Sequence, residues 1–166
     1  MNRSIAKMHR IIKPNSEIKS QGDCPGIFLA GSIEMGMAEN WQERIENELS
    51  KYKVEIFNPR RDDWDSSWVQ KQSNPQFNYQ VNWEMNHLEK ADIIFMYFSP
   101  QTKSPISLLE LGAYGNMGKM IVCCPEGFWR KGNVDIFCTR LNIPLFNNLE
   151  DAIGALMTRV NSIGEH

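Results

Sequence analysis

The seven residues DIIFMYF (92–98) are apolar at nearly every position. A half-buried strand alternates apolar with polar residues, so an unbroken apolar strand has to be covered on both faces. Shorter runs of the same kind recur: IFLA (27–30), VEIF (54–57), MIVCC (120–124) and IPLF (143–146). Helical periodicity fills the gaps between them. Trp41, Ile45 and Leu49 repeat at i, i+4, i+8 within 38–51, and Phe77, Val81, Met85 and Leu88 share a face within 76–90. Residues 105–118 read as a third helix, and Leu149, Ile153, Leu156, Val160 and Ile163 trace a last one. Strands that alternate with helices form right-handed βαβ units. The expected fold is α/β: a flavodoxin-like or Rossmann-like three-layer sandwich with a five-stranded, mainly parallel sheet. It occupies residues 26–166, behind a polar N-terminal arm, 1–25, that carries Pro14, Gly22 and Pro25. The 166 residues are enough for one core of this size.

Charge and cysteine usage exclude several partners. With 18 basic and 20 acidic side chains the net charge is −2, so no broad basic face awaits a nucleic-acid polymer. No apolar run approaches the roughly 20 residues needed to span a bilayer, and no membrane partner is expected. The start, MNRSIAKMHRIIKP, has charge but lacks the apolar stretch of a secretory signal, which points to the cytoplasm. Cys24, Cys123, Cys124 and Cys138 form no C-x-x-C pair, and His9, His87 and His166 stand in no ligand spacing. The cysteines read as reduced and buried, and no metal is expected.

In parallel sheets the ligand site lies beyond the carboxyl ends of the strands. The loops after the first four strands begin GSIEMG, NPRRDDWDSSW, SPQTKSP and PEGFWRKGN, the segments richest in Gly, Pro, Arg, Asp and Trp. Two carboxylates sit close by in unexpected company. Glu110 lies between Leu109 and Leu111, and Glu84 shares the inward face of Val81 and Leu88. Paired carboxylates suit chemistry at an acetal-like carbon, where one attacks and the other moves the proton of the leaving group. Plainer roles exist for the same residues. An acid early in a helix is favoured by the dipole, and Ser104-Pro105 reads as N-cap and N1. Trp64 and Trp68, with Arg60, Arg61 and Asp63, either form a base pocket by stacking and edge contacts or cover the core rim. Met35 and Met37 read as loop and rim residues.

FLAGSI (28–33), WEMNHLEKADI (83–93) and SPISLLELG (104–112), in this order on the expected strands, resemble the nucleoside 2-deoxyribosyltransferase superfamily, including its relatives that hydrolyse nucleoside 5′-monophosphates. The resemblance implies roles. Glu110 would be the nucleophile that attacks C1′ of the sugar. Glu84, where the family usually has Asp, would protonate the departing base. Gly31 and Ser32 would bring backbone close to the sugar, and Phe28 stands where many relatives have Tyr. Ser104 replaces the Asp of the transferases and matches the Ser of the monophosphate hydrolases, where it contacts the phosphate; Ser107 would add a hydroxyl. Tyr114 would hydrogen-bond Glu110 or pack. Phe128, Trp129, Arg130 and Asn133 would line the pocket or reach a neighbouring subunit. The implied activity is cleavage of the N-glycosidic bond of a nucleoside or nucleotide through a covalent glycosyl-Glu intermediate, with transfer to another nucleobase. Hydrolysis of nucleoside 5′-monophosphates, hydrolysis of NAD, and nucleotide binding without catalysis are the alternatives. The implied partners are a small nucleoside or nucleotide and a free base, with no cofactor, in a homo-oligomer.

Overall fold

The computed structural model describes residues 7–33, 39–61 and 67–164. Six strands form one sheet: β1 (Arg10–Ile12), β2 (Gly26–Gly31), β3 (Glu55–Phe57), β4 (Ile93–Tyr97), β5 (Met120–Cys123) and β6 (Leu145–Phe146). Five helices surround it: α1 (Trp41–Glu48), α2 (Pro75–Lys90), α3 (Pro105–Tyr114), α4 (Lys131–Arg140) and α5 (Leu149–Gly164). Every strand pair is parallel, in the order β1-β3-β2-β4-β5-β6. The central pair runs in register from Ile27 opposite Ile93 to Gly31 opposite Tyr97. Winding proceeds one way from β2 to β3 and the other way from β4 onward, so the topological switch point lies between β2 and β4.

Alternate residues of the central strands point to opposite faces, and each face has its own core. Ile27, Leu29, Ile93, Phe95 and Ile121 meet Trp41 and Ile45 of α1 and Ile153 and Leu156 of α5. Phe28, Ala30, Ile94, Met96 and Val122 meet α2, α3 and α4 through Trp83, Leu111 and Val134. Two covered faces are what the unbroken apolar runs require. Cys123, Cys124 and Cys138 are free and buried, as expected, and Cys24 is free and half-buried.

Three elements differ from the sequence expectation. The sheet has six strands, because Arg10–Ile12 adds to the outer edge of β3. A three-residue strand in which only Ile12 is buried leaves almost no periodic signal. What holds this segment is a buried carboxylate at the amino end of β3. Glu55 accepts from Ser20 Oγ at 3.2 Å, Gln21 N at 3.2 Å and Gly22 N at 2.9 Å. The Arg10 guanidinium lies 3.6 Å from it and also bonds Asp23. Residues 131–140, expected as loop, form α4; only Val134 and Cys138 are buried, a stripe too narrow to stand out. On α2 the inward residues are Gln80, Trp83 and Leu88, whereas Met85 is 46% exposed. The sequence reading followed the aliphatic residues, but the helix turns its Trp and Gln toward the sheet.

Helix ends explain the placement of α2. Asn74 Oδ1 accepts from Phe77 N at 3.0 Å, with Pro75 at the first helical position. At the other end Lys119, from the turn before β5, donates to the carbonyls of Leu88 (2.7 Å), Glu89 (2.9 Å) and Ala91 (2.7 Å). One ammonium thereby satisfies carbonyls that a helix end leaves without partners. Lys119→Met removes charged hydrogen bonds worth about 2 kcal/mol together. The midpoint of thermal unfolding is expected to fall by about 4–8 °C in a chain of this size. An unchanged midpoint would show that the cation does not hold this end. No described helix is long and apolar enough to cross a membrane.

Candidate active site

At the switch point β2 ends in Gly31, whose φ is +132°. A Cβ built there would lie 2.1 Å from Tyr97 O on β4. Only glycine lets the two strands approach this closely. The next residue, Ser32, donates its N–H to the same Tyr97 carbonyl at 2.9 Å. Its own carbonyl accepts from Trp41 Nε1 at 2.9 Å, which ties the strand end to α1.

The Ser32 hydroxyl closes a ring with two hydroxyls from the loop after β4. Ser32 Oγ is 2.8 Å from Thr102 Oγ1 and 2.6 Å from Ser104 Oγ, and Thr102 Oγ1 is 2.7 Å from Ser104 Oγ. Ser99 N donates to Ser32 Oγ at 2.8 Å, and Thr102 Oγ1 donates to Ser99 O at 3.0 Å. All three hydroxyl residues are buried. Ser104 holds the left-handed conformation, φ +46° and ψ +53°. Its carbonyl accepts from Leu108 N at 3.1 Å, as an N-cap carbonyl does, but its side chain makes no capping bond. The expected side-chain cap is therefore absent: the hydroxyl turns into the ring. Thr102 was not legible as a ring member, because its role exists only once the two loops meet.

Both acids belong to helices that pack over β2 on one face of the sheet. Glu84 lies on α2 and Glu110 on α3, each partly buried. Burial pushes Glu84 up to about 7, opposed by a hydrogen bond from Gln80. Burial and the neighbouring charge of Glu84 push Glu110 up to about 8. The nucleophile that the resemblance implies has to be ionised, as an ordinary Glu is at neutral pH. The structure instead makes it the weaker acid of the pair. Two coupled carboxylates lose their protons in two steps that belong to the pair, and between those steps the pair carries one proton and one charge. Gln80, not singled out in the sequence, bridges this site to the loop after β3. Its Nε2 donates to Pro59 O at 3.2 Å and to Glu84 Oε1 at 3.3 Å. The signal was there: Gln80 lies four residues before Glu84 on one helix face.

The other candidates are distributed around this centre. Phe28 is wholly buried in the core, its ring 6.3 Å from that of Trp83. Ser107 is buried in the first turn of α3. Tyr114 is buried in the same cluster; no hydrogen bond joins it to Glu110 among the described residues, though burial, Glu89 and Glu110 all raise its pKa. Arg60 Nη1 donates to Glu39 O and Gln42 Oε1, both at 3.2 Å, fastening the loop after β3 to the start of α1. The Arg61 guanidinium stands 4.8 Å from the Trp68 ring. Asp63, Trp64, Met35, Met37 and His166 lie outside the described residues. Asn133 and Arg130 line a groove of about 270 Å³ between α3 and α4, against Leu108 and Leu111. Phe128 packs on Phe98 at 4.9 Å, and Trp129 Nε1 donates to Lys103 O at 2.8 Å, so the loop before α4 is tied to the loop before α3.

At the amino end of the sheet Asp23, Cys24 and Glu55 bring ligand atoms within 4.8 Å of one another. The Arg10 guanidinium already faces all three, bonded to Asp23 and 3.6 Å from Cys24 Sγ and from Glu55. That cluster has its cation built in.

The family described as nucleoside 2-deoxyribosyltransferase-like matches residues 24–128. The matched stretch contains β2, the hydroxyl ring, Gln80 and both acids. A search of curated proteins finds no match. Matched over well more than half its length, the chain belongs to the nucleoside 2-deoxyribosyltransferase-like family.

Proposed function

We propose that this protein cleaves the N-glycosidic bond of a nucleoside or nucleotide by double displacement and transfers the sugar to a second nucleobase. The observation that carries the reading is the pair of half-buried carboxylates on α2 and α3, two helices packed over β2 on one face of the sheet, near enough for the charge of Glu84 to act on Glu110. In the free pair the single proton rests mainly on Glu110, so the scheme begins with its passage to Glu84; the ionised Glu110 then attacks C1′. A C–O bond forms as the C–N bond breaks, and the electron pair of that bond goes to the base nitrogen, which takes the proton of Glu84. In the second half an incoming base nitrogen attacks C1′, gives its proton to Glu84 and releases the Glu110 carboxylate. Configuration at C1′ is retained because two inversions follow one another. The residues alone supply the nucleophile and the proton carrier, so this scheme uses no metal or organic cofactor. The incoming sugar would enter at the carboxyl ends of β2 and β4, beside Gly31 and Ser32.

A second reading replaces the incoming base with water and the nucleoside with a 5′-monophosphate. One observation favours it. The Ser104 side chain makes no capping bond to α3, so its hydroxyl does not compete with an anion at the helix start, where Ser107 lies in the first turn.

Chromatography of a panel tests both. It contains deoxynucleosides, ribonucleosides and their 5′-monophosphates, with and without an added base. A new nucleoside that forms only with added base is the expected result. Free base and sugar phosphate from monophosphates alone would favour the hydrolase. No turnover of any substrate would overturn both.

A further inference from the structure

Gln80 has a buried side chain, with 4% of the residue exposed, and makes one unusual sacrifice. Its Nε2 makes two hydrogen bonds, to Pro59 O and Glu84 Oε1, while its Oε1 is buried with no partner among the described residues. The Pro59 bond fixes the orientation of the amide. A carbonyl only accepts, so the nitrogen has to face Pro59; the flipped amide would set two oxygens against each other. The second Nε2 hydrogen then points to Glu84 Oε1. A buried acceptor without a partner costs stability. A Met or Leu of similar volume would remove that orphan but would also take away the donor that Pro59 O and Glu84 Oε1 share. The amide is kept for what its nitrogen does.

We propose that Gln80 is a positioning residue that assigns the two oxygens of Glu84. Because Oε1 always receives the Gln80 hydrogen, the acidic proton resides on Oε2, the oxygen left to serve the leaving base. The neutral amide does this without adding a second charge beside Glu110, the acid that faces Glu84 from α3. This role rests on the proposed reaction, in which Glu84 is the acid. It predicts a defect confined to proton delivery. An ordinary nucleobase leaves as an anion unless it is protonated, whereas an N7-methylated purine is already cationic in the nucleoside and leaves neutral.

The experiment compares wild type, Gln80→Met and Gln80→Leu on an ordinary purine nucleoside and on its N7-methylated form. Glu84→Ala and Glu110→Ala run as controls. In the Gln80 variants kcat on the ordinary substrate is expected to fall about 10–100-fold, a fraction of what a general acid contributes. On the methylated substrate it should change less than about 3-fold, and KM should hold on both. Both variants should still unfold cooperatively, at a lower midpoint than the wild type, since Pro59 O and Glu84 Oε1 lose their shared donor. Equal losses on both substrates, or no loss on either, overturn the positioning role and leave the proposed reaction intact. A wild type that cleaves neither substrate, or a Glu110→Ala variant that cleaves both, overturns the reaction and this role with it.

Discussion

Glu110→Gln is expected to abolish turnover and to make the protein harder to melt above neutral pH. The first effect follows from the proposed chemistry: an amide oxygen is a poor nucleophile and a poor leaving group. A loss of at least about 10³-fold in kcat/KM, some 4 kcal/mol of transition-state stabilisation, is expected. The second effect follows from burial. The ordinary value of Glu is 4.5, and in the folded protein this one stands at about 8. Between those values the folded state binds more protons than the unfolded state, so stability falls as pH rises through the window. Above pH 8 the buried charge is fully present and the whole cost is felt. Below pH 4.5 the group is neutral in both states and nothing is lost. Gln carries no charge at any pH. The variant should therefore match the wild type at pH 4 and melt on the order of a few degrees higher at pH 9. Melting curves at the two pH values, beside an activity assay, check both halves. Retained turnover would sink the nucleophile; a wild type as stable at pH 9 as its variant would show that the charge is not buried at a cost.

Gly31→Ala should be the most damaging small substitution in the fold. One added carbon would stand 2.1 Å from Tyr97 O and 2.8 Å from Tyr97 N. Both are backbone atoms of the central strand β4, which has no freedom to yield. The positive φ adds a second penalty for any residue with a Cβ. Relief requires β2 and β4 to part at the switch point, breaking the Ser32 N–Tyr97 O bond and moving Ser32 away from the ring. A loss of at least about 4 kcal/mol is expected, which for this chain length is roughly 8–16 °C in the melting midpoint, or failure to accumulate folded protein. A fall of only a degree or two, read by thermal unfolding, would mean that the strands are looser here than the packing implies. The glycine that the sequence reading assigned to close approach by a sugar has a structural reason of its own, closer at hand.

The architecture was legible because burial on two faces leaves an unmistakable apolar run, and the five apolar runs mark five of the six strands. β1 and α4 were not, since each buries too few side chains to rise above the composition of a loop. Glu84 and Glu110 stood out as charges among apolar neighbours. Their raised pKa values did not, because burial, the larger cause, and the charge of Glu84 on Glu110 both arise only when α2 and α3 pack over the sheet. Ser104 shows the limit best. Ser before Pro is a good capping signal from local rules alone, yet the hydroxyl found partners at Ser32 and Thr102, the first of which lies 72 residues away in the chain.

That ring of hydroxyls has one property its neighbours lack. A backbone N–H can only give and a carbonyl can only take, so most of the switch point has its polarity fixed by the chain. Thr102 gives its one hydrogen to the Ser99 carbonyl, but the contact between Ser32 and Ser104 can run in either sense, and its direction can reverse with no heavy atom moving. The joint between the two central loops is thus rigid in position and undecided in sign at one contact, able to turn a hydrogen around while the scaffold stays still.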